Sequence, residues 1–216
     1  MRTTRVLLAD DHPLILAALR VMLGQIEGVR VVAEATNGRD AIALAQAHHP
    51  DIAIVDISMS ELNGIDAAAR IKAESPSTRV LILSSHVTEE FVHRAVRAGV
   101  SGYISKGARA REIELAIDAV MEGKSYFGPD IATHLVASLV RATGAPGGSS
   151  LDRLTPRQRE VLQLIAEGRR TKQIAHVLGT SVKTVENHRA EIMRRLGIDS
   201  VAGLALFGAR HGLVKP

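Results

Sequence analysis

The sequence predicts an α/β domain of five β–α repeats followed by a small, wholly helical domain. Three observations carry this. Short aliphatic runs alternate with helix-period stretches through residues 1–125, Gly and Ser crowd residues 143–150, and beyond them only helical patterning remains.

Strands are expected at Arg5–Ala9, Val29–Ala33, Ile52–Val55, Val80–Leu83 and Gly102–Ile104. Each is short and almost continuously apolar, as strands buried on both faces of a parallel sheet must be. Helices are expected at Pro13–Gln25, Gly38–Gln46, Leu62–Ala73, Thr88–Ala98 and Arg109–Glu122, with Pro13 suited to a first turn and Gly99 to a stop. In open sheets of this kind chemistry collects at the carboxyl ends of the strands, where the strand order reverses. Pro129–Arg141 reads as a linking helix, and Thr143–Ser150 as a flexible tether. The expected domains are therefore 1–125 and 151–216, joined by 126–150. In the second, helices are expected at Pro156–Glu167, Lys172–Leu178, Val182–Leu196 and Val201–Ala209, broken at Gly168, Gly179 and Gly197.

Composition narrows the function. With no cysteine there is no disulfide and no thiolate metal site, in keeping with a reducing cytoplasm. The N-terminus lacks the apolar core of a secretory signal, and no apolar run approaches the roughly 18 residues of a membrane span. Charge is uneven: residues 1–125 carry net −2, 126–150 carry 0, and 151–216 carry +6. A basic module beside a mildly acidic one points to a polyanionic partner for the former.

Polar residues stand at the strand ends. The first ends in Asp10-Asp11, the third in Asp56, the fourth in Ser84, and the fifth runs through Tyr103 to Lys106. Singly, each has an ordinary reading: Asp11 as a helix N-cap, Asp56 as a turn, Ser84 as a cap, Tyr103 as core and Lys106 as a solvated lysine. Together they describe a cleft in which clustered carboxylates call for a hard cation such as Mg²⁺. Such a cation would let a carboxylate attack a phosphoryl group, with Lys106 balancing charge on the transferred oxygens. Ser84 would then donate a hydrogen bond to the phosphoryl group. His48-His49 reads as solvated, and His86, His93 and His134 have no evident partner.

These residues, with Gly102-Tyr103-Ile104-Ser105-Lys106, resemble the receiver domain of two-component response regulators over about residues 4–123. The resemblance implies a flavodoxin-like (βα)5 fold. It implies that Asp56 takes a phosphoryl group from a sensor histidine kinase, and that Mg²⁺ is held by Asp11, Asp56 and the backbone carbonyl of Ser58, with Asp10 acting through water. Ser84 and Tyr103 would be the switch pair, moving inward on phosphorylation. Met59-Ser60 departs from the family's common Met-Pro but removes no ligand.

In the basic module, Thr155 and Pro156 open a helix as N-cap and first residue. Thr171–Ala175, the turn at Gly179 and Ser181–Val185 then form a helix-turn-helix pattern. At 100° per residue, Val182, Val185, Ile192, Met193 and Leu196 share one side of the second helix, while Lys183, Glu186, Asn187, Ala190 and Arg194 share the other. Amphipathicity alone would describe an ordinary solvated face. However, Leu154-Thr-Pro-Arg-Gln-Arg-Glu-Val-Leu162, Ile174-Ala175, Thr184-Val-Glu-Asn-His-Arg189 and Leu196-Gly197 resemble the LuxR-type helix-turn-helix over about residues 151–213. By that resemblance Val182–Arg195 reads the major groove of double-stranded DNA. Thr171, Lys172, Lys183 and Thr184 touch phosphates, Glu186, Asn187 and Ala190 face bases, and His188 is partly structural. Gln173 and Arg170 depart from the family's usual Glu and small residue.

The two halves together are similar to a response regulator of the NarL/FixJ class: a cytoplasmic, phosphorylation-controlled transcription regulator that pairs into a homodimer when active. Val201, Leu204 and Leu206 of the last helix are candidates for either a dimer surface or core. A phosphorylation-independent regulator is the rival reading. A phospho-aspartyl hydrolase is disfavoured because Ser58 stands where its second Asp would be, and the glycine-rich nucleotide-binding motifs are absent.

Overall fold

The computed structural model describes residues 3–142 and 150–214, which divide into two compact units, an α/β one and a helical one. The tether read at Thr143–Ser150 lies outside the described residues except for Ser150.

In the first unit the elements run β1 (Thr4–Ala9), α1 (Pro13–Gly24), β2 (Val29–Ala35), α2 (Gly38–His48), β3 (Ile52–Val55), α3 (Gly64–Glu74), β4 (Arg79–Ser84), α4 (Glu89–Arg97), β5 (Gly102–Ser105), α5 (Ala110–Met121), β6 (Tyr126–Phe127) and α6 (Pro129–Ala142). The sheet is wholly parallel, in the order β2-β1-β3-β4-β5-β6. Its order reverses between β1 and β3, so the cleft at the carboxyl ends of those two strands is the expected site of chemistry. β3 is buried at every position, as a strand covered on both faces must be. Val6, Leu8, Ile54, Leu81, Leu83 and Ile104 pack with Leu16, Leu19 and Leu23 of α1 and Ile113, Ile117 and Val120 of α5. Burying each such side chain stabilises the domain by about 1.5–3 kcal/mol.

β6 departs from the five-strand expectation. It pairs Tyr126 with Gly102 and Phe127 with Tyr103. Two residues are too few to show a period of two, so the strand is defined only by its neighbour. Gly102 permits the approach: a Cβ there would lie 2.4 Å from the Tyr126 carbonyl oxygen. The helix read from Pro129 is present as α6 and packs on α4 within the same unit.

The second unit contains a short 3-10 turn (Ser150–Arg153), α7 (Pro156–Ala166), α8 (Thr171–Val177), α9 (Val182–Leu196) and α10 (Val201–Arg210). Local chemistry sets the helix ends. Thr155 caps α7 in a reciprocal box with Gln158, and Pro156 follows at the first position. Ser181 caps α9 by accepting from the Thr184 N–H, and Gly197 ends it in a left-handed conformation, φ 67°. The 3-10 turn was not expected; it inserts Leu151 into the helical core beside Leu154, Val161 and Leu162. Leu204 is fully buried in that core, which excludes it from any dimer surface, whereas Val201 and Leu206 of the same helix are exposed.

Candidate functional site

Asp10, Asp56 and Lys106 each stand one rung beyond a strand and are held by the ladder's continuation. The Asp10 N–H donates to the Ala35 carbonyl, the Asp56 N–H to Ala9, and the Lys106 N–H to Ser84. Three different strands thereby aim Asp10, Asp56 and Lys106 at one point. Lys106 Nζ lies 2.6 Å from Asp10 Oδ2 and 2.9 Å from Asp56 Oδ2. Both carboxylates are buried, at 1% and 3% exposure, so these ion pairs are poorly screened. Burial alone would lower the Lys106 pKa, but hydrogen bonds and charge from Asp10 and Asp56 outweigh it and hold the ammonium above its usual value.

The carboxylates outnumber their cation. One oxygen each of Asp10, Asp11 and Asp56 and a ring nitrogen of His12 lie within 4.8 Å of one another. Asp56 Oδ2 is buried and, apart from the Lys106 ammonium at 2.9 Å, takes no hydrogen bond. Asp10 is differently placed: its Oδ1 accepts from the His12 N–H at 2.9 Å and lies 3.0 Å from the His12 ring, while Oδ2 faces Lys106. Three clustered carboxylates facing one ammonium leave an excess of hard oxygen donors, which fits a divalent cation. The capping alternative for Asp11 is not realised. His12 occupies the N-cap position of α1, and its side chain makes no capping hydrogen bond.

Two features at this cleft were not legible in the sequence. Gly64 begins α3 against the backbone of Asp56; a Cβ on it would lie 1.8 Å from the Asp56 carbonyl oxygen. Its N–H also donates to the Ile57 carbonyl. The residue closes the helix onto the strand end. His86, without a partner in the sequence, joins the switch residues: its ring Nε2 lies 2.7 Å from Ser58 Oγ, its N–H donates to Ser84 Oγ, and its carbonyl accepts from the Tyr103 hydroxyl. No sequence period connects residues 58, 84, 86 and 103, because the sheet order alone makes them neighbours.

Tyr103 is fully buried in this conformation, and its hydroxyl donates to the His86 carbonyl. Burial, reinforced by the Asp56 charge, pushes its phenol well above the usual value and keeps it a neutral donor.

In the helical unit, the polar stripe expected to face DNA lies on an open face of α9. Lys183, Glu186, Asn187, Ala190 and Arg194 are exposed, Thr184 and His188 half-buried, and Val185 and Ile192 buried. Val182 is not part of the apolar side as expected; it remains 38% exposed at the first position of the helix, ahead of the packed turns. At the preceding helix, Thr171 is half-buried and Lys172 exposed, and Arg170 is the exposed N-cap residue. Arg194 donates through Nε and Nη2 to both oxygens of Glu191, at 2.9 and 2.6 Å.

Comparison with known proteins follows this division. The family described as "Response regulator receiver domain" matches residues 6–118, and "Bacterial regulatory proteins, luxR family" matches 152–207. The chain is 36% identical over 211 residues to the transcriptional regulatory protein MctR of Rhizobium johnstonii, covering 98% of this chain and 95% of that one. It is 32% identical to the response regulator UvrY of Escherichia coli K12, covering 96% and 94%. Among solved structures, the RcsB response regulator of Salmonella typhimurium aligns with a TM-score of 0.66 at 26% identity, over 98% of this chain and 99% of that one. Another RcsB structure, at TM-score 0.59 and 26% identity, is described as a DNA complex and covers 95% and 98%. Family models over both units and full-length relatives show that the chain belongs to the response regulators of the NarL/FixJ class, a receiver domain followed by a LuxR-type helix-turn-helix.

Proposed function

We propose that Asp56 accepts a phosphoryl group from a sensor histidine kinase and that this controls promoter binding by α9. The observation that carries the reading is the buried Asp56 carboxylate, 2.9 Å from Lys106 and clustered with Asp10 and Asp11. In the transfer, an Asp56 carboxylate oxygen bonds to phosphorus as the phosphorus–nitrogen bond of the phosphohistidine breaks, returning the electron pair to the imidazole. Asp11, Asp56 and the Ser58 carbonyl would hold Mg²⁺, which neutralises charge on the phosphoryl oxygens when bound. Asp10 has both oxygens engaged by His12 and Lys106, which suits an indirect role through water. Lys106 pairs with the new phosphoryl oxygens, and the Ser84 hydroxyl donates to one of them. The modification adds about −1.5 to −2 charge to a cleft already rich in carboxylates. The Ser84–His86–Tyr103 hydrogen bonds are placed to feel that change. Phosphate contacts are assigned to Thr171, Lys172, Lys183 and Thr184 and base contacts to Glu186, Asn187 and Ala190, with Arg194 at the far end of the same stripe. Exposed Val201 and Leu206 are the proposed homodimer contacts of α10. No helix among the described residues is long and apolar enough to cross a membrane, and we place the protein in the cytoplasm.

The deciding experiment is incubation of the full chain with a small phosphodonor. One phosphoryl group per chain is expected with Mg²⁺ and none with a chelator; label that is indifferent to Mg²⁺, or absent throughout, rejects the assignment and favours the phosphorylation-independent reading. In the absence of donor, Mg²⁺ at ten times its dissociation constant should stabilise the receiver by about 1.4 kcal/mol, seen as a rise in Tm. A Tm unmoved by Mg²⁺ would contradict the cation site. For the DNA reading, Lys183→Ala should weaken binding to all duplexes alike and reduce the salt slope by about 1. An unchanged slope would remove Lys183 from the phosphate contacts.

A further inference from the structure

Within α9 the cations Lys183, Arg189, Arg194 and Arg195 face two acids, Glu186 and Glu191. Glu191 is placed unlike a casual surface partner. Its two oxygens take the Nε and Nη2 donors of Arg194 in a two-point fork, and Oε1 also accepts from Arg195 Nε at 2.7 Å. Arg195 is fixed from its other end as well, donating through Nη1 to the Arg153 carbonyl at 2.9 Å. Two-point pairing of this kind restricts a guanidinium far more than a single ion pair does. Arg194 lies one turn beyond Ala190, on the same exposed stripe as Lys183 and Asn187, and its side chain is 72% exposed. The arginine at the end of the groove-facing stripe therefore has its charge cancelled and its donors engaged within the helix.

We infer that Glu191 is a specificity-determining residue of this regulator: by clamping Arg194 and Arg195 it withholds sequence-independent phosphate attraction at the C-terminal end of the groove helix. Sequence-independent affinity comes almost wholly from protein cations that neutralise phosphates and release their condensed counterions. An acid that competes for those cations weakens binding to every duplex, while base contacts by Glu186, Asn187 and Ala190 are left to discriminate. Selectivity gained through an unfavourable element is a general route to telling partners apart. The hydrogen bonds from Arg194 and Arg195 hold the Glu191 carboxyl down at about 2. The inference rests on the reading of α9 as the groove helix.

The test uses the full chain, phosphorylated, with a mixed-sequence duplex and a duplex from its own promoter region. Glu191→Ala and Glu191→Gln should both tighten binding to the mixed duplex, roughly threefold to tenfold near 0.15 M salt, and steepen its salt slope by about 1 to 2. The ratio of promoter to mixed affinity should fall. Adding Arg194→Ala to Glu191→Ala should cancel part of the gain. Circular dichroism checks that α9 remains helical; Glu191→Gln keeps the shape of the side chain and reads the charge if the alanine variant unfolds. A slope unchanged or shallower in a folded Glu191 variant overturns the inference. If Lys183→Ala flattens the slope while the Glu191 variants do nothing, this inference alone falls. If neither residue moves the slope, the reading of α9 falls with it.

Discussion

Asp56→Asn should abolish phosphoryl incorporation from a small donor, to background, while leaving the protein folded. A carboxamide is nearly the same size as a carboxylate but has no anionic oxygen to attack phosphorus. Its neighbours Asp10 and Asp11 do not substitute, because Asp10 spends its oxygens on His12 and Lys106, and Asp11 is more exposed at the mouth of the cleft. The substitution removes one of the clustered carboxylates held near a single ammonium, so in the absence of a divalent cation Tm should hold or rise. The Mg²⁺-induced rise in Tm should shrink at the same time. Mass spectrometry of the intact chain reads incorporation, and calorimetry reads the other two effects. Retained incorporation in Asp56→Asn would show that another side chain is the acceptor.

Gly64→Ala should be the most damaging single-methyl change at the receiver site. The added Cβ would lie 1.8 Å from the Asp56 carbonyl oxygen and 2.7 Å from its carbonyl carbon. Both are backbone atoms at the end of a buried strand, so no flexible side-chain tip can swing aside. Overpacking of this sort costs about 1–3 kcal/mol and occasionally more, a large share of the roughly 5–15 kcal/mol that holds a domain together. A fall of roughly 5–15 °C in the receiver's Tm is expected. Any relaxation pushes Asp56 away from Lys106, so the rate of phosphorylation should fall as well. Unchanged Tm together with normal phosphorylation would mean that α3 moves freely relative to Asp56. The helical unit should keep its own transition, since the methyl group lies in the α/β unit.

How much of this was readable in advance differs between residues for physical reasons. Val6, Leu8, Ile52 and Ile54 announce buried strands because a strand covered on both faces excludes polar residues at every position. Thr155, Pro156, Ser181 and Gly197 announce helix ends because capping is settled within three or four residues of chain. By contrast β6, the 3-10 turn at Ser150–Arg153 and the buried state of Leu204 depend on what lies across the core from them. Val182 shows the limit of a helical wheel: angle was read correctly, but position along the helix decided exposure. The clamp on Arg194 was also out of reach, since residues 191 and 194 sit at a spacing that many solvated pairs share.

By itself the sequence determined the alternation of strands and helices, the order of acids, hydroxyl and lysine along the chain, and the amphipathic helix after Gly179. These follow from periodicity and short-range hydrogen bonding, which act between residues close in the chain. Tertiary structure alone decided that Asp10 and Asp56 share one ammonium, that His86 ties Ser58 to Ser84 and Tyr103, and that Gly64 abuts Asp56. Those contacts depend on strand order, and the order is selected by packing the whole sheet between its helices rather than by any local stretch of residues.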